Sequence, residues 1–291
     1  MPEHAPDPSI THFGRGGMRR IALPSWYGAG LSGRTRGMLH DVGVPLHVAP
    51  YFTAAGETDG LTLGVFTARG GPALRDERAD WVRVGTDRLA HLCVRPDGGV
   101  QGVFVTQPES DVFVSTDLST FNASLAALDR RLPVIAASTS LPVAAAAFRE
   151  LNAELRQIDA AAFEDHEGWW PRVLDDVRHT LNFPFSSAFE YVDDTGQKQI
   201  STAEAEPGRP HPEELLWQQL SAAGVTAAQV RRVYCELEPC MMPGHYCAVW
   251  MQALFPQAEF THSFDYGDTA GSREEGLKRL MAHAAQQERQ Q

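Results

Sequence analysis

The sequence predicts two domains of mixed class in series, an α+β domain followed by an α/β domain whose sheet is layered between helices. Three observations predict this. The 291 residues are enough for two ordinary cores. Strand-like runs cluster between residues 61 and 115 and are followed by helical patterns. From residue 183 onward strand and helix patterns alternate. With 43% hydrophobic and 21% charged residues, the composition is that of a folded chain rather than a disordered one.

Residues 1–33 are rich in Gly, Pro and Arg and read as a poorly ordered arm. A short helix through Arg36, Met38, Leu39 and Val42 ends at Gly43 and Pro45. Strands are expected over 61–67, 81–85, 89–94, 100–106 and 112–115, paired as an antiparallel meander with a helix over 118–128 packed behind it. Helices follow over 145–158 and 172–180, and the paired Trp169 and Trp170 ahead of the second suit packing anchors. The expected first domain spans 34–182. The expected second domain, 183–291, reads as strands 188–192 and 199–203, helix 212–223, strand 231–237, helix 246–255, strand 259–265 and helix 273–287. Gly28-Ala29-Gly30-Leu31-Ser32-Gly33 spells G-x-G-x-x-G. Pro24 and Trp26 upstream and Pro45 and Pro50 downstream deny it the strand–turn–helix setting of a dinucleotide site.

A net charge of −12, with eight Lys/Arg against fifteen Asp/Glu from Phe183 onward, argues against tight, sequence-blind binding to duplex DNA. No apolar run is long enough to span a bilayer, and the polar, Pro-rich start lacks the order of a signal peptide. The expected location is the cytoplasm. There a cluster such as Cys235, Cys240 and Cys247, within 13 residues, is more often a metal or catalytic site than a disulfide scaffold.

Two short motifs give that cluster a chemistry. His211-Pro212-Glu213 opens a helix, with Pro212 at the favoured first position and Glu213 beside the positive end of the helix dipole. Pro239-Cys240 closes a strand. H-x-E followed by P-C-x-x-C is the signature of zinc deaminases, in which one His and two Cys hold the metal and the Glu shuttles protons. The sequence departs from it at one point: Cys247 comes seven residues after Cys240 instead of three. A Pro243-Gly244 turn lets the chain fold back and offer Cys247 from the first turn of the next helix, where a thiolate is favoured. His245 is the rival third ligand. Cys235, in mid-strand, reads as a packed thiol.

Residues from about 183 to the end resemble the nucleic-acid and nucleotide deaminases of bacterial polymorphic toxin systems. The resemblance rests on His211-Pro212-Glu213, Glu236-Leu237-Glu238-Pro239-Cys240, Pro243-Gly244-His245-Tyr246-Cys247 and the run from Thr261 to Gly267. It implies a cytidine-deaminase-like fold, zinc on His211, Cys240 and Cys247, Glu213 as catalytic acid–base, and a nucleobase substrate. His262, Phe264 and Tyr266 are its candidates for substrate contact. Residues 34–182 resemble the SUKH immunity superfamily through Leu39-His40-Asp41-Val42-Gly43-Val44-Pro45, the run from Trp81 to Gly85, Leu128-Asp129-Arg130 and Trp169-Trp170-Pro171. That resemblance implies a non-catalytic module that binds a protein partner. The expected activity is hydrolytic deamination of a nucleobase, cytosine favoured over adenine, in nucleic acid or nucleotide. The competing reading is a binding protein whose deaminase fold is an inactive platform.

Overall fold

The computed structural model describes residues 7–24, 27, 30–70, 74, 76–107, 110–182 and 184–289. Gly28 and Ala29 of the G-x-G-x-x-G run, and Phe183 at the expected domain start, lie outside them. The chain divides into two compact units, residues 1–134 with 146–173, and residues 135–145 with 174–291.

The arm expected over 1–33 carries regular structure in its described part. Asp7 caps α1 (Pro8–Phe13) by accepting from the Ser9 N–H at 2.9 Å. The strand β1 (Met18–Arg19) then pairs with β2 (Val44–Pro45), reached through α2 (Gly33–Gly37) and a π-type turn over Met38–Val42. Burial of Met18 and Leu31 holds this segment down, a tertiary effect that Gly- and Arg-rich composition hides.

The expected meander is present as a six-stranded antiparallel sheet: β3 (His47–Val48), β4 (Phe52–Ala54), β5 (Val82–Thr86), β6 (His91–Val94), β7 (Val100–Val103) and β8 (Val112–Ser115), in that order. The first predicted strand is a correction. Its residues from Leu63 onward belong to helix α3 (Leu63–Gly70) between β4 and β5, and Thr62 makes an isolated bridge to Val82. Leu61, Leu63, Val65 and Thr67 alternate as a strand would, but only Leu63 and Thr67, one helical turn apart, are buried. Thr62 Oγ1 accepts from the Val65 N–H and starts the turn. Helix α4 (Leu118–Ala136) likewise outruns its predicted end at residue 128 and passes through Pro133. Leu125, Leu128, Leu132 and Ile135 keep one apolar stripe buried across the proline. Helices α5 (Leu141–Ile158) and α6 (Trp169–Asn182) follow. Trp169 and Trp170 are fully buried anchors, with indole N–H groups donating to Asp87 Oδ2 and Ser115 Oγ.

The second unit is built on a mixed four-stranded sheet in the order β10-β9-β11-β12. Strands β9 (Ser186–Val192) and β10 (Lys198–Glu204) form a hairpin. Its turn is fixed by Asp193, whose Oδ1 accepts from the Thr195 and Gln197 N–H groups, and by Gly196 at φ 82°. Helix α7 (Pro212–Ala222) packs on this hairpin through Leu216 and Leu220. Strand β11 (Val230–Leu237) is antiparallel to β9 and parallel to β12 (Glu259–Phe264), so the chain must cross over, which it does through α8 (Cys247–Leu254). Phe189, Val233, Met251 and Phe255 share the core. Full burial of each such side chain contributes about 1.5–3 kcal/mol.

Helix α9 (Ala270–Glu288) covers β11 and β12 through Leu277 and Leu280. It lies so close to the end of β12 that a Cβ added at Gly276 would stand 2.0 Å from the Asp265 carbonyl oxygen. Gly276→Ala therefore forces the helix off the sheet even though alanine favours helices, and a loss of about 2 kcal/mol or more is expected on urea denaturation. A variant as stable as the parent would refute that close approach.

Register decides where function gathers. Cys235 pairs with Ser187, Leu237 with Phe264, and Glu204 with Ser186. The start of β9 and the ends of β10, β11 and β12 therefore lie at one end of the sheet, where ligands of open α/β sheets bind.

Candidate metal centre

Four of the sequence-nominated residues arrive at that end from three segments. His211 is the N-cap of α7 and Glu213 lies in its first turn. Cys240 comes three residues after the end of β11, and Cys247 is the first residue of α8. The turn expected at Pro243-Gly244 folds the chain back: Gly244 takes φ 80°, the His245 N–H donates to Met242 O, and the Ala248 N–H donates to Cys240 O. Tyr246, at φ 46°, completes the reversal in a left-handed conformation unusual for a residue with a side chain.

The His211 Nδ1 atom lies 3.4 Å from Cys240 Sγ and 3.6 Å from Cys247 Sγ. These three atoms lie within 4.8 Å of one another and can hold a metal ion. All three residues are buried, and all four cysteines are unpaired. Burial works against ionising Cys240, but the Cys247 hydrogen bond and the His211 charge outweigh it and hold that thiol well below its ordinary value. Cys247 is pushed up by burial and by Cys240 beside it. Burial also opposes a charge on His211, yet Asp176 and Cys240 hold its pKa well above the usual imidazole value. Cys240 and His211 thus favour each other's charged forms.

Glu213 adjoins this group in a cavity also lined by His179, Phe185, Cys240 and Tyr266. Its Oε1 accepts from Ser187 Oγ at 2.8 Å, and its buried Oε2 has no hydrogen-bond partner. A buried carboxylate oxygen left unpaired is costly unless something else occupies its front. The donor set fits a zinc ion: one imidazole and two thiols from three segments, three protein ligands such as catalytic zinc sites use.

His245 does not join the sulfurs. Its Nδ1 lies 2.6 Å from Glu214 Oε2 and its Nε2 3.1 Å from Asp176 Oδ2. Burial and the neighbouring His211 depress it, but Asp176 and Glu214 prevail and raise its pKa to about 9. Asp176, His211 and His245 also lie within metal-binding distance of one another, as do Glu238, His262 and Asp265. The first set is satisfied internally by hydrogen bonds. In the second, Glu238 Oε2 accepts from the Tyr266 and Gly267 N–H groups.

Tyr266 lines the cavity, whereas the structure places His262 and Phe264 elsewhere. His262 is exposed and bonds to Asp265, and the Phe264 ring lies against His283 of α9. Cys235 is a buried core thiol, pushed up by burial and then by Glu213. Sequence reasoning missed Asp176, His179, Ser187 and Glu214. A signal existed for one of them: Asp176, like Thr180 a turn later, interrupts the buried stripe Val173, Val177, Leu181 of α6, where a polar side chain needs a partner.

His179 bonds to Arg178 through Nε2 and to Tyr266 Oη through Nδ1. Arg178 can only donate, so Nε2 accepts and Nδ1–H donates, leaving the tyrosine's own proton for another acceptor. Burial, then Arg178, lowers the His179 pKa to about 3. A histidine depressed in the folded state stabilises fully above its unfolded pKa near 6.5, and the contribution drains away as pH falls toward 3. At pH 5 this costs about 2 kcal/mol relative to pH 7.5. Urea denaturation at both pH values should show a smaller loss for His179→Gln than for the parent; equal losses would refute the assignment.

Residues 11–176 match the family model of SUKH-4 immunity protein, and residues 184–283 match that of a Xanthomonas-like deaminase. No curated protein and no solved structure matches the chain. The first match covers more than half of the 291 residues and the second contains the whole His–Cys–Cys group. The chain belongs to the SUKH-4 immunity protein family and carries, fused behind that domain, a domain of the deaminase family.

Proposed function

We propose that the second unit is a zinc-dependent hydrolytic deaminase of a nucleobase, cytosine favoured, presented as nucleotide or nucleic acid, and that the SUKH domain binds a protein partner in a bacterial toxin–immunity system. One observation carries this reading: two sulfurs and an imidazole nitrogen converge beside a buried carboxylate oxygen that has no partner. His211, Cys240 and Cys247 would hold the zinc. When bound, zinc supplies the Lewis acidity that makes water nucleophilic near neutral pH.

The remaining work falls to the chain itself. Ser187 anchors one oxygen of Glu213, so the other is held in place to take the water's two protons in turn, passing the first to the ring nitrogen as the C–O bond forms and the second to the amine, which leaves as ammonia when the C–N bond breaks. Phe185 and Leu237 give the cavity an apolar wall that limits competing water. Tyr266, with its hydroxyl oxygen occupied by His179, has a proton to offer a substrate acceptor. Unpaired buried thiols suit a reducing compartment such as the cytoplasm. No helix among the described residues is long and apolar enough to cross a membrane.

The test is ammonia release together with uracil and inosine detection on cytidine, adenosine, single-stranded DNA or RNA, and duplex. Uracil formation from a cytosine substrate is the expected result. No product from any of these by the zinc-loaded, full-length protein would overturn the reading.

A further inference from the structure

The nominated ligands leave out a buried carboxylate that bonds two histidines beside them. Asp176 sits on α6, upstream of the segment matched to the deaminase family, and is 4% exposed. Each of its oxygens serves a different histidine: Oδ1 meets His211 Nε2 at 2.9 Å and Oδ2 meets His245 Nε2 at 3.1 Å. The two rings are stacked, with centroids 3.8 Å apart and planes 4° from parallel. His245 Nδ1 then reaches Glu214 Oε2, and that same oxygen accepts from the His211 backbone N–H at 3.0 Å. The bonds close a loop that runs from the His211 ring through Asp176, His245 and Glu214 back to the His211 main chain.

The loop has a chemical consequence. An ionised carboxylate only accepts, so the Nε2 of each ring facing Asp176 carries a proton. A neutral His211 protonated on Nε2 presents its Nδ1 lone pair to a metal held by the two sulfurs. The opposite tautomer would aim a proton at the metal position and take the His211 donor away from Asp176 Oδ1. Stacking on His245, itself clamped by two carboxylates, fixes the plane of the His211 ring. Glu214, through the backbone N–H, fixes its root.

Resting on the zinc reading above, we propose that Asp176 is a positioning residue of the metal centre: by bridging His211 and His245 it sets the tautomer and orientation of the metal-binding imidazole. His245 is thereby a brace rather than an alternative ligand.

The experiment uses the full-length protein and reads metal binding. Zinc and cobalt(II) affinities are measured by competition with a chromophoric chelator for the parent and for Asp176→Asn, with circular dichroism of the metal-free forms. Asparagine keeps the shape but offers one accepting oxygen instead of two. The expected result is a folded variant with affinity about 10- to 100-fold weaker, the usual consequence of losing an outer carboxylate. Its cobalt(II) visible spectrum should also change, because the imidazole is no longer held in one orientation. A folded variant with unchanged affinity and unchanged cobalt spectrum overturns the proposal. If the Asn variant does not fold, Asp176→Glu, which retains both oxygens but displaces them by one methylene, is measured in the same way. Weakened binding by a folded Glu variant supports positioning. Unchanged binding, or loss of fold in both variants, overturns it in favour of a purely structural carboxylate. A parent protein that binds neither metal fails the zinc reading itself, a result separate from all of these.

Discussion

Cys240→Ser is expected to abolish near-stoichiometric zinc and, with it, the chelator sensitivity of the protein's thermal stability. The reasoning starts from the sulfur. Cys240 is buried, which alone would keep it a thiol, but the Cys247 hydrogen bond and the His211 charge hold it well below its ordinary pKa. A serine hydroxyl in the same place has no comparable route to an anion and is a poor partner for zinc. A ligand that binds only the folded state stabilises it by about 4 kcal/mol at a thousandfold excess over its dissociation constant. The parent should therefore melt several degrees lower after chelation. The serine variant should melt near the chelated parent whether or not chelator is present. Metal analysis of the purified proteins supplies the decisive number. Zinc retained at parental stoichiometry in Cys240→Ser would remove Cys240 from the site.

Glu213→Ala separates chemistry from binding. None of the three nominated ligand atoms belongs to Glu213, so zinc content should be unchanged. Turnover should fall by about 10²- to 10⁴-fold or more, the range expected for loss of a positioned acid–base group. The fold should tolerate the change: Ser187 loses one acceptor, and a carboxylate oxygen that had no partner disappears. Zinc lost together with activity would instead place Glu213 among the ligands. Activity retained would remove it from the mechanism.

The chemistry-bearing part of this chain was legible because it is local. His211, Pro212 and Glu213 read as a helix start, and the strand ending at Pro239-Cys240 read as its partner. A proline–glycine pair sufficed to anticipate that Cys247 returns to the site despite its wide spacing. Partner choice across the fold was not legible. Nothing in the order of residues tells Asp176 to face His211, 35 positions away, or Ser187 to hold Glu213, 26 positions away. The same limit bears on His262 and Phe264, candidates for substrate contact whose side chains meet Asp265 and His283. Of that stretch Tyr266, beyond the strand end, is the residue that lines the cavity. In the first unit, α3 shows how a period of two and a helical turn can satisfy the same four letters until burial chooses between them.

The placement of Asp176 also bears on how such fusions can be cut and recombined. The deaminase-family match begins at residue 184, eight positions past the carboxylate, and the SUKH-4 match ends on Asp176 itself. A segment inherited or cloned from 184 onward would carry every nominated ligand and Glu213 yet lack the group bonded to His211. Trimming by sequence similarity would remove that partner without any visible damage to the motifs. Transplanting this unit onto another carrier therefore requires a breakpoint upstream of Asp176, and the final turns of α6 have to travel as cargo with it.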